Sequence, residues 1–222
     1  MEAVKRFLRS SHRYISLLVS IQLLLWTVSG IFFAFNKIEK VRGEHVIERG
    51  AIHANLADFT TQIEAAHSVR LASRLGEPIL IVSKAEGVNY VNRAQQSVPM
   101  LEPEEAKSAV ASGTKLTPRE VEILHTVEAG DEYRGRPLPL YRVTADDQGE
   151  TFYNVYVNPY SSEIVAVRSL KWRIWDLMWG LHIMDWQARD DIHNWPMKVF
   201  SVFALISALS GVWLFFASKS RS

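Results

Sequence analysis

The chain of 222 residues contains no cysteine. That absence removes disulfide frameworks, thiolate metal sites, iron–sulfur clusters and cysteine nucleophiles, and it fits a chain that folds in an oxidising compartment. Also missing are the glycine-rich cradle of nucleotide hydrolases, the dinucleotide-binding glycine pattern and the His-Glu-x-x-His pair of zinc peptidases. An excess of either charge is lacking too: 25 Lys and Arg stand against 24 Asp and Glu, a net charge of +1. Nucleic acid is therefore not an expected partner. The one dense basic cluster, Lys5, Arg6, Arg9 and Arg13, stands beside an apolar segment, where it serves membrane topology.

Charge is absent altogether from two stretches. Tyr14 to Phe35 is a run of 22 residues, and Val199 to Ala217 a run of 19, without Asp, Glu, Lys, Arg or His. At about 1.5 Å per residue they span about 33 Å and about 28 Å, against a hydrocarbon core of about 30 Å. Helical spans over 14–35 and 196–217 follow, with basic tails at 1–13 and 218–222. The first run is too long for the apolar core of a signal peptide, and Phe32-Phe33-Ala34-Phe35-Asn36 offers no small-x-small cleavage site. The tails sum to +5, so the remainder of the chain sums to −4. Near the membrane the tails carry six basic residues, and six more flank the intervening domain (Lys37, Lys40, Arg42, Arg49, Arg189 and Lys198). The greater density over Lys5 to Arg13 favours tails inside and the domain outside.

Between the runs, 163 residues suffice for one domain with its own core. Lys37 to Arg49 reads as a helical stalk with Ile38, Val41 and His45 on one side. Asn55 is placed to cap a helix to about His67 through Leu56, Phe59, Ile63 and Ala66. Strands are expected over Val69 to Arg74, Ile79 to Val82 and Val88 to Val91. The order then repeats: a helix from Pro103 to about Ala111, and another capped by Thr117 with Glu120 three residues on. A Gly- and Pro-rich loop over Gly130 to Pro139 precedes strands over Leu140 to Ala145, Thr151 to Val157 and Glu163 to Arg168. The fold class is α+β, an antiparallel sheet with helices on one face, inserted between two transmembrane α-helices (domain 36–170, junction 171–195).

The stretch Tyr153-Asn154-Val155-Tyr156-Val157-Asn158-Pro159-Tyr160-Ser161-Ser162-Glu163-Ile164-Val165 resembles the closing strands of a PepSY domain. In that pattern a strand ends in Val-Asp/Asn-Pro, then a Thr-Gly-like turn, then Glu and two apolar residues; here Ser161-Ser162 replaces Thr-Gly. His12-Arg13-Tyr14 opening the first span, Ser29-Gly30 within it and Leu181-His182 ahead of the second are similar to the PepSY-associated transmembrane helix family. The resemblance implies a bacterial inner-membrane protein with a periplasmic domain. Some relatives bind haem b and pass electrons across the membrane to ferric siderophores, with histidines near helix ends as axial ligands. Those reductases have about four membrane helices, a number that two copies of this chain would recreate.

The residues of the junction bear on that implication. Trp172, Trp175, Trp179, His182 and Trp186 are spaced 3, 4, 3 and 4, so a helix over Lys171 to Trp186 sets four indoles and one imidazole on one stripe. Ile174, Leu177, Leu181 and Met184 make a second apolar stripe. One reading is an interfacial helix with Trp at headgroup depth. The other, carried by the resemblance, makes His182 a ligand to haem iron, with Trp179 and Trp186 in its pocket and His12 as a second iron ligand. His12 and His182 stand about 30 Å apart by helix rise, too far for one iron within one chain. His182 therefore pairs with His193, or His182 and His12 each pair with a partner chain's copy. His193 also reads as a pre-cap residue, since Asn194 is placed to cap the second span with Pro196 in its first turn. Ser16 and Ser20, Ala204 and Ala208, and Ser207 and Gly211 are small-xxx-small pairs for close helix packing. Gln22 and Thr27 are placed to bond across helices.

Two functions follow. One is a haem b-dependent electron-transfer or ferric-siderophore-reductase-like component, an oxidoreductase subunit. It would work as a homodimer or within a larger membrane complex and meet a periplasmic protein or ferric-chelate acceptor. The other is a membrane-anchored accessory or regulatory module that binds a protein or peptide and has no redox centre.

Overall fold

The computed structural model describes residues 2–48, 50–52, 54, 59 and 63–219. They form two compact units, residues 1–37 with 174–222, and residues 38–173.

The first unit is helical. Helix α1 (Glu2–Phe35) takes the basic N-terminal segment into the same 34-residue helix as the apolar run. Helix α5 (Trp195–Lys219) is its antiparallel partner. Both are long and apolar enough to cross a membrane, over Arg9–Phe35 and Trp195–Phe216. As expected, Asn194 caps α5, its Oδ1 accepting from the Met197 N–H at 2.8 Å. The pairing of α1 with α5 runs through small residues: Ser16 and Ser207 share a hydrogen bond of 2.6 Å, and His12 Nδ1 lies 2.7 Å from Ser210 Oγ. A Cβ on Gly211 would come within 3.3 Å of His12 Cε1, so the absence of a side chain there makes room for the imidazole. Thr27 bonds back to Leu23 O in its own helix rather than to a neighbouring one, the local competition that hydroxyl side chains offer in helices.

The second unit is α+β. Strands β1 (Ala66–Arg74), β2 (Glu77–Lys84) and β3 (Gly87–Val91) form one antiparallel sheet in that order. Strands β4 (Thr117–Leu124), β5 (Leu140–Asp147), β6 (Thr151–Val157) and β7 (Ile164–Ser169) form a second, also in chain order. Helix α3 (Pro103–Gly113) carries a capping box between Glu102 and Glu105 and buries Ala106, Ala109 and Val110. They meet Tyr141, Val143, Val155, Val157 and Val167 on one face of the second sheet. The other face packs Tyr156, Leu140 and Ala166 under Tyr133 of the β4–β5 loop. The β5–β6 turn has φ of 50° at Gln148 and 84° at Gly149, the mirror-image turn that matches strand twist.

Three local expectations change. Thr117 to Leu124 is strand β4, not a helix: Val121 and Ile123 pack on the core, and the alternation outweighs the capping-box pattern. The stalk is not continuous. Helix α2 (Ile38–Val41) ends at Gly43, where φ is 75° and a Cβ would stand 2.8 Å from Val167 Cγ1, and a single 3-10 turn (Glu44–Val46) leads on. Val41 is buried there, whereas His45 is exposed. Most of the helix expected from Asn55 lies outside the described residues, but Ala66 and His67 already belong to β1.

The β6–β7 turn joins the two sheets. Arg70 of β1 makes a two-pronged ion pair with Glu163, and Tyr90 of β3 stacks on Tyr160 with centroids 5.1 Å apart. Ser162 has the left-handed φ of 57°. Its Oγ accepts from the Leu75 N–H at 3.0 Å, a contact glycine could not make.

Candidate functional site

Helix α4 (Leu170–Ile183) begins in the α+β unit and ends in the helical one. Its aromatic stripe divides accordingly. Trp172 is buried under two guanidinium groups, Arg168 at 4.3 Å and Arg134 at 5.8 Å from the ring centroid. Burial, with Arg136 and Arg134 nearby, pulls the Arg168 pKa down to about 10. Arg173, one residue on, donates from Nε to Glu132 at 2.8 Å. Glu132 also accepts from the Tyr156 hydroxyl at 2.8 Å and from Asn154. Burial raises its pKa, but the hydrogen bonds from Arg173, Tyr156 and Asn154 outweigh that and hold it below the ordinary glutamate value.

Three residues of the stripe meet α1. Trp175, Trp179 and His182 stack in sequence, with centroid steps of 5.7 and 6.2 Å and planes inclined by 12° and 9°. Phe33 packs at 5.1 Å from Trp175 and 5.7 Å from His182, and Trp26 at 6.3 Å from His182. Trp186 is not part of the stack: the helix stops at Ile183, and the indole is 61% exposed. The stop is a left-handed Met184, φ 57°, with the Asp185 N–H returning to Gly180 O at 3.0 Å. Arg189 then lies across Gly180 to reach the buried Asp176 at 2.8 Å.

A helix end leaves its last four carbonyls without partners, a serious cost beside lipid. Here all four are met. Gly180 O takes Asp185 N–H; Leu181 O accepts from Gln22 Nε2 at 3.1 Å, His182 O from Trp26 Nε1 at 2.7 Å, and Ile183 O from Asn194 Nδ2 at 2.8 Å. Gln22 thus bonds across helices, as its place in the apolar run suggests.

The same clasp assigns the state of His182. Ser29 is 1% exposed, and its Oγ lies 2.7 Å from His182 Nδ1 and 2.7 Å from Leu25 O. A hydroxyl has one proton, and the Leu25 carbonyl can only accept it. Ser29 Oγ then accepts from Nδ1–H, and Nε2 makes no hydrogen bond with a described residue. His182 belongs to α4, outside both spans, and burial lowers its pKa, which favours the neutral form with a lone pair on Nε2. At His12 the pattern repeats: Ser210 donates to Ser207 O at 3.0 Å and takes Nδ1–H. There Nε2 is closed in, 3.4 Å from Ser16 Oγ and 3.7 Å from the place of a Cβ on Gly211. His193 is exposed, and its backbone N–H donates to Asp191 Oδ1 at 2.7 Å. Among the described residues no group of three or more His, Asp or Glu side chains is arranged to hold a metal ion.

The profile of one family, described as the PepSY-associated TM region, matches residues 9–222. This chain belongs to that family. As a member of the PepSY-associated TM region family with two apolar spans, it is a two-pass membrane protein with an α+β unit between the spans. Among curated proteins and among solved structures nothing matches. Sequence spacing located the aromatic stripe of this PepSY-associated protein. Trp26 and Phe33, which complete the site from α1, are visible in the sequence only as parts of an apolar run, and Ser29 only within the Ser29-Gly30 pair, with nothing to link it to His182.

Proposed function

We propose that this protein is a haem b-binding electron-transfer component of the bacterial inner membrane, with its α+β unit on the periplasmic side and His182 as the residue that would hold the haem iron. The observation that carries the reading is the 2.7 Å contact between Ser29 Oγ and His182 Nδ1. A histidine that binds iron through Nε2 usually has its Nδ1–H held by a second partner, which fixes the ring and raises its basicity; Ser29 is that partner here. Trp179, Phe33 and Trp26 supply the apolar, aromatic surroundings that keep water from a haem site. The bound group would supply one-electron transfer; the chain's own residues hold it, orient it and exclude solvent. The enclosed ring of His12 supports a packing role for that residue, so we assign iron to His182 alone. A second histidine would be supplied by His182 of a second copy, with His193 as the alternative within one chain. A homodimer carrying one haem per two chains is the expected assembly.

The test is the visible spectrum of detergent-purified protein from haem-replete cells, oxidised and then reduced with dithionite. A Soret band and a sharpened α band on reduction are expected, and His182→Ala should abolish them or convert the iron to high spin. A colourless preparation, or a spectrum indifferent to His182→Ala, overturns the assignment. Reporter fusions at the C-terminus, active only in the cytoplasm, test the orientation.

A further inference from the structure

The α+β unit contains a cavity of about 510 Å³ at the β1–β2 turn, well within the size range of small-ligand sites. Pro78, Ile79 and Val98 give it a buried apolar floor, and the loop residues Ala94 and Pro99 form an exposed rim. Arg74 lines the same space with its side chain only 14% exposed. Its Nη1 donates to Tyr160 O at 3.0 Å. The remaining N–H groups make no hydrogen bond with a described residue. Among the described residues the nearest carboxylate is Glu105, which lines the same cavity; its Oε2 makes only a long ion pair, 3.9 Å from Nη2, and already accepts the Glu102 N–H at 2.7 Å in the α3 capping box. A guanidinium taken this far out of water needs a well-placed anion, and its planar fork suits a carboxylate.

We propose that this cavity binds a carboxylate carried on an aliphatic group, with the carboxylate on Arg74 and the apolar part on Pro78, Ile79 and Val98. The peptide form of that chemistry is a C-terminal residue with an aliphatic side chain; the small-molecule form is a free aliphatic acid. Arg93 adds a positive charge at the mouth, while Glu77 on the other side of the turn steers the carboxylate toward Arg74. The site is independent of haem, and a colourless protein leaves it intact.

Isothermal titration of the full-length protein in detergent tests it, with acetyl-Ala-Ala-Leu as probe and its C-terminal amide as control. Saturable binding of the acid is expected, at least tenfold tighter than of the amide, and weakened at least tenfold by Arg74→Gln. Arg74 also holds Tyr160 O, so Ala94→Trp, which fills the mouth from an exposed loop position, is the second variant and should abolish binding while leaving Arg74 in place. Competition by hexanoate at similar concentration assigns the natural ligand to free acids; failure of hexanoate to compete with bound peptide assigns it to peptide C-termini. Both support the carboxylate site. Equal affinity for acid and amide, binding unchanged by both variants, or no saturable binding of either peptide or hexanoate overturns it.

Discussion

Gly180 and Gly30 lie in helices of the same unit, yet only Gly180 has a steric reason to be glycine. A Cβ at Gly180 would stand 2.8 Å from Arg189 Cγ and 2.9 Å from Asp185 O, whereas nothing lies within 4 Å of one at Gly30. Gly180→Ala is therefore expected to push Arg189 off Asp176 and cost about 1–3 kcal/mol. Gly30→Ala should be neutral or stabilising by up to about 1 kcal/mol, because alanine is the better helix former. Thermal unfolding of the two variants in detergent checks the contrast, and equal melting temperatures would refute it. Ser162 shows a related trade-off. A left-handed backbone costs a non-glycine residue about 1–2 kcal/mol, and the hydrogen bond its hydroxyl accepts from Leu75 N–H offsets part of that. The Ser-Ser departure from Thr-Gly thus keeps the turn.

At the scale of elements, Glu132 ties the loop over the second sheet to β6 and to the first turn of α4 through Asn154, Tyr156 and Arg173. Its pKa in the folded protein lies below the ordinary value, so its contribution is complete above the unfolded pKa and disappears as pH falls through the folded one. Each unit of depression is worth about 1.4 kcal/mol. Urea unfolding at pH 6 and at successive steps below pH 4.5 should show a steeper acid loss in the wild type than in Glu132→Gln. Parallel pH profiles would show that the carboxylate is not selectively stabilised. The same elements show how far sequence reading reaches. Alternation in β5 and β6 and the proline-led acidic turn of α3 were legible because the local pattern and the burial agree. At β4 they disagree: Thr117 and Glu120 carry a helix-start pattern, and pairing with β5 decides the matter.

At the scale of the membrane unit, register is the governing quantity. Ser16 meets Ser207, so at equal rise Trp195, twelve residues before Ser207, comes level with about Val28 of α1, not with Phe35. The outer two turns of α1 overhang α5, and α4 covers that overhang through Trp175, Trp179 and His182. At about 51 Å, α1 exceeds a hydrocarbon core of about 30 Å by about 21 Å; the covered overhang takes up about 10 Å of that, and the basic N-terminal turns take up the rest at the other end. The absence of native cysteine makes the register easy to test. Ser16→Cys with Ser207→Cys should oxidise to a disulfide within one chain, while Thr27→Cys with Ser207→Cys, about 16 Å further along α1, should not. Cross-links formed only between chains would refute the hairpin.

What the amino-acid sequence determined by itself is what depends on local composition and period: two uncharged runs of bilayer length, the meander β5 to β7, the cap at Asn194 and the aromatic spacing in α4. Each of these is a property of neighbours along the chain. Only the tertiary structure decided which nitrogen of His182 donates to Ser29, which donors close the end of α4, and how Arg74 comes to line a cavity with one hydrogen-bond acceptor among the described residues. Those properties depend on Ser29, Gln22, Trp26 and Tyr160, residues 86 to 159 positions distant in sequence. A hydrogen bond across such a separation leaves no periodic trace, because its partners are brought together by packing and not by the local conformational preferences that a sequence pattern records.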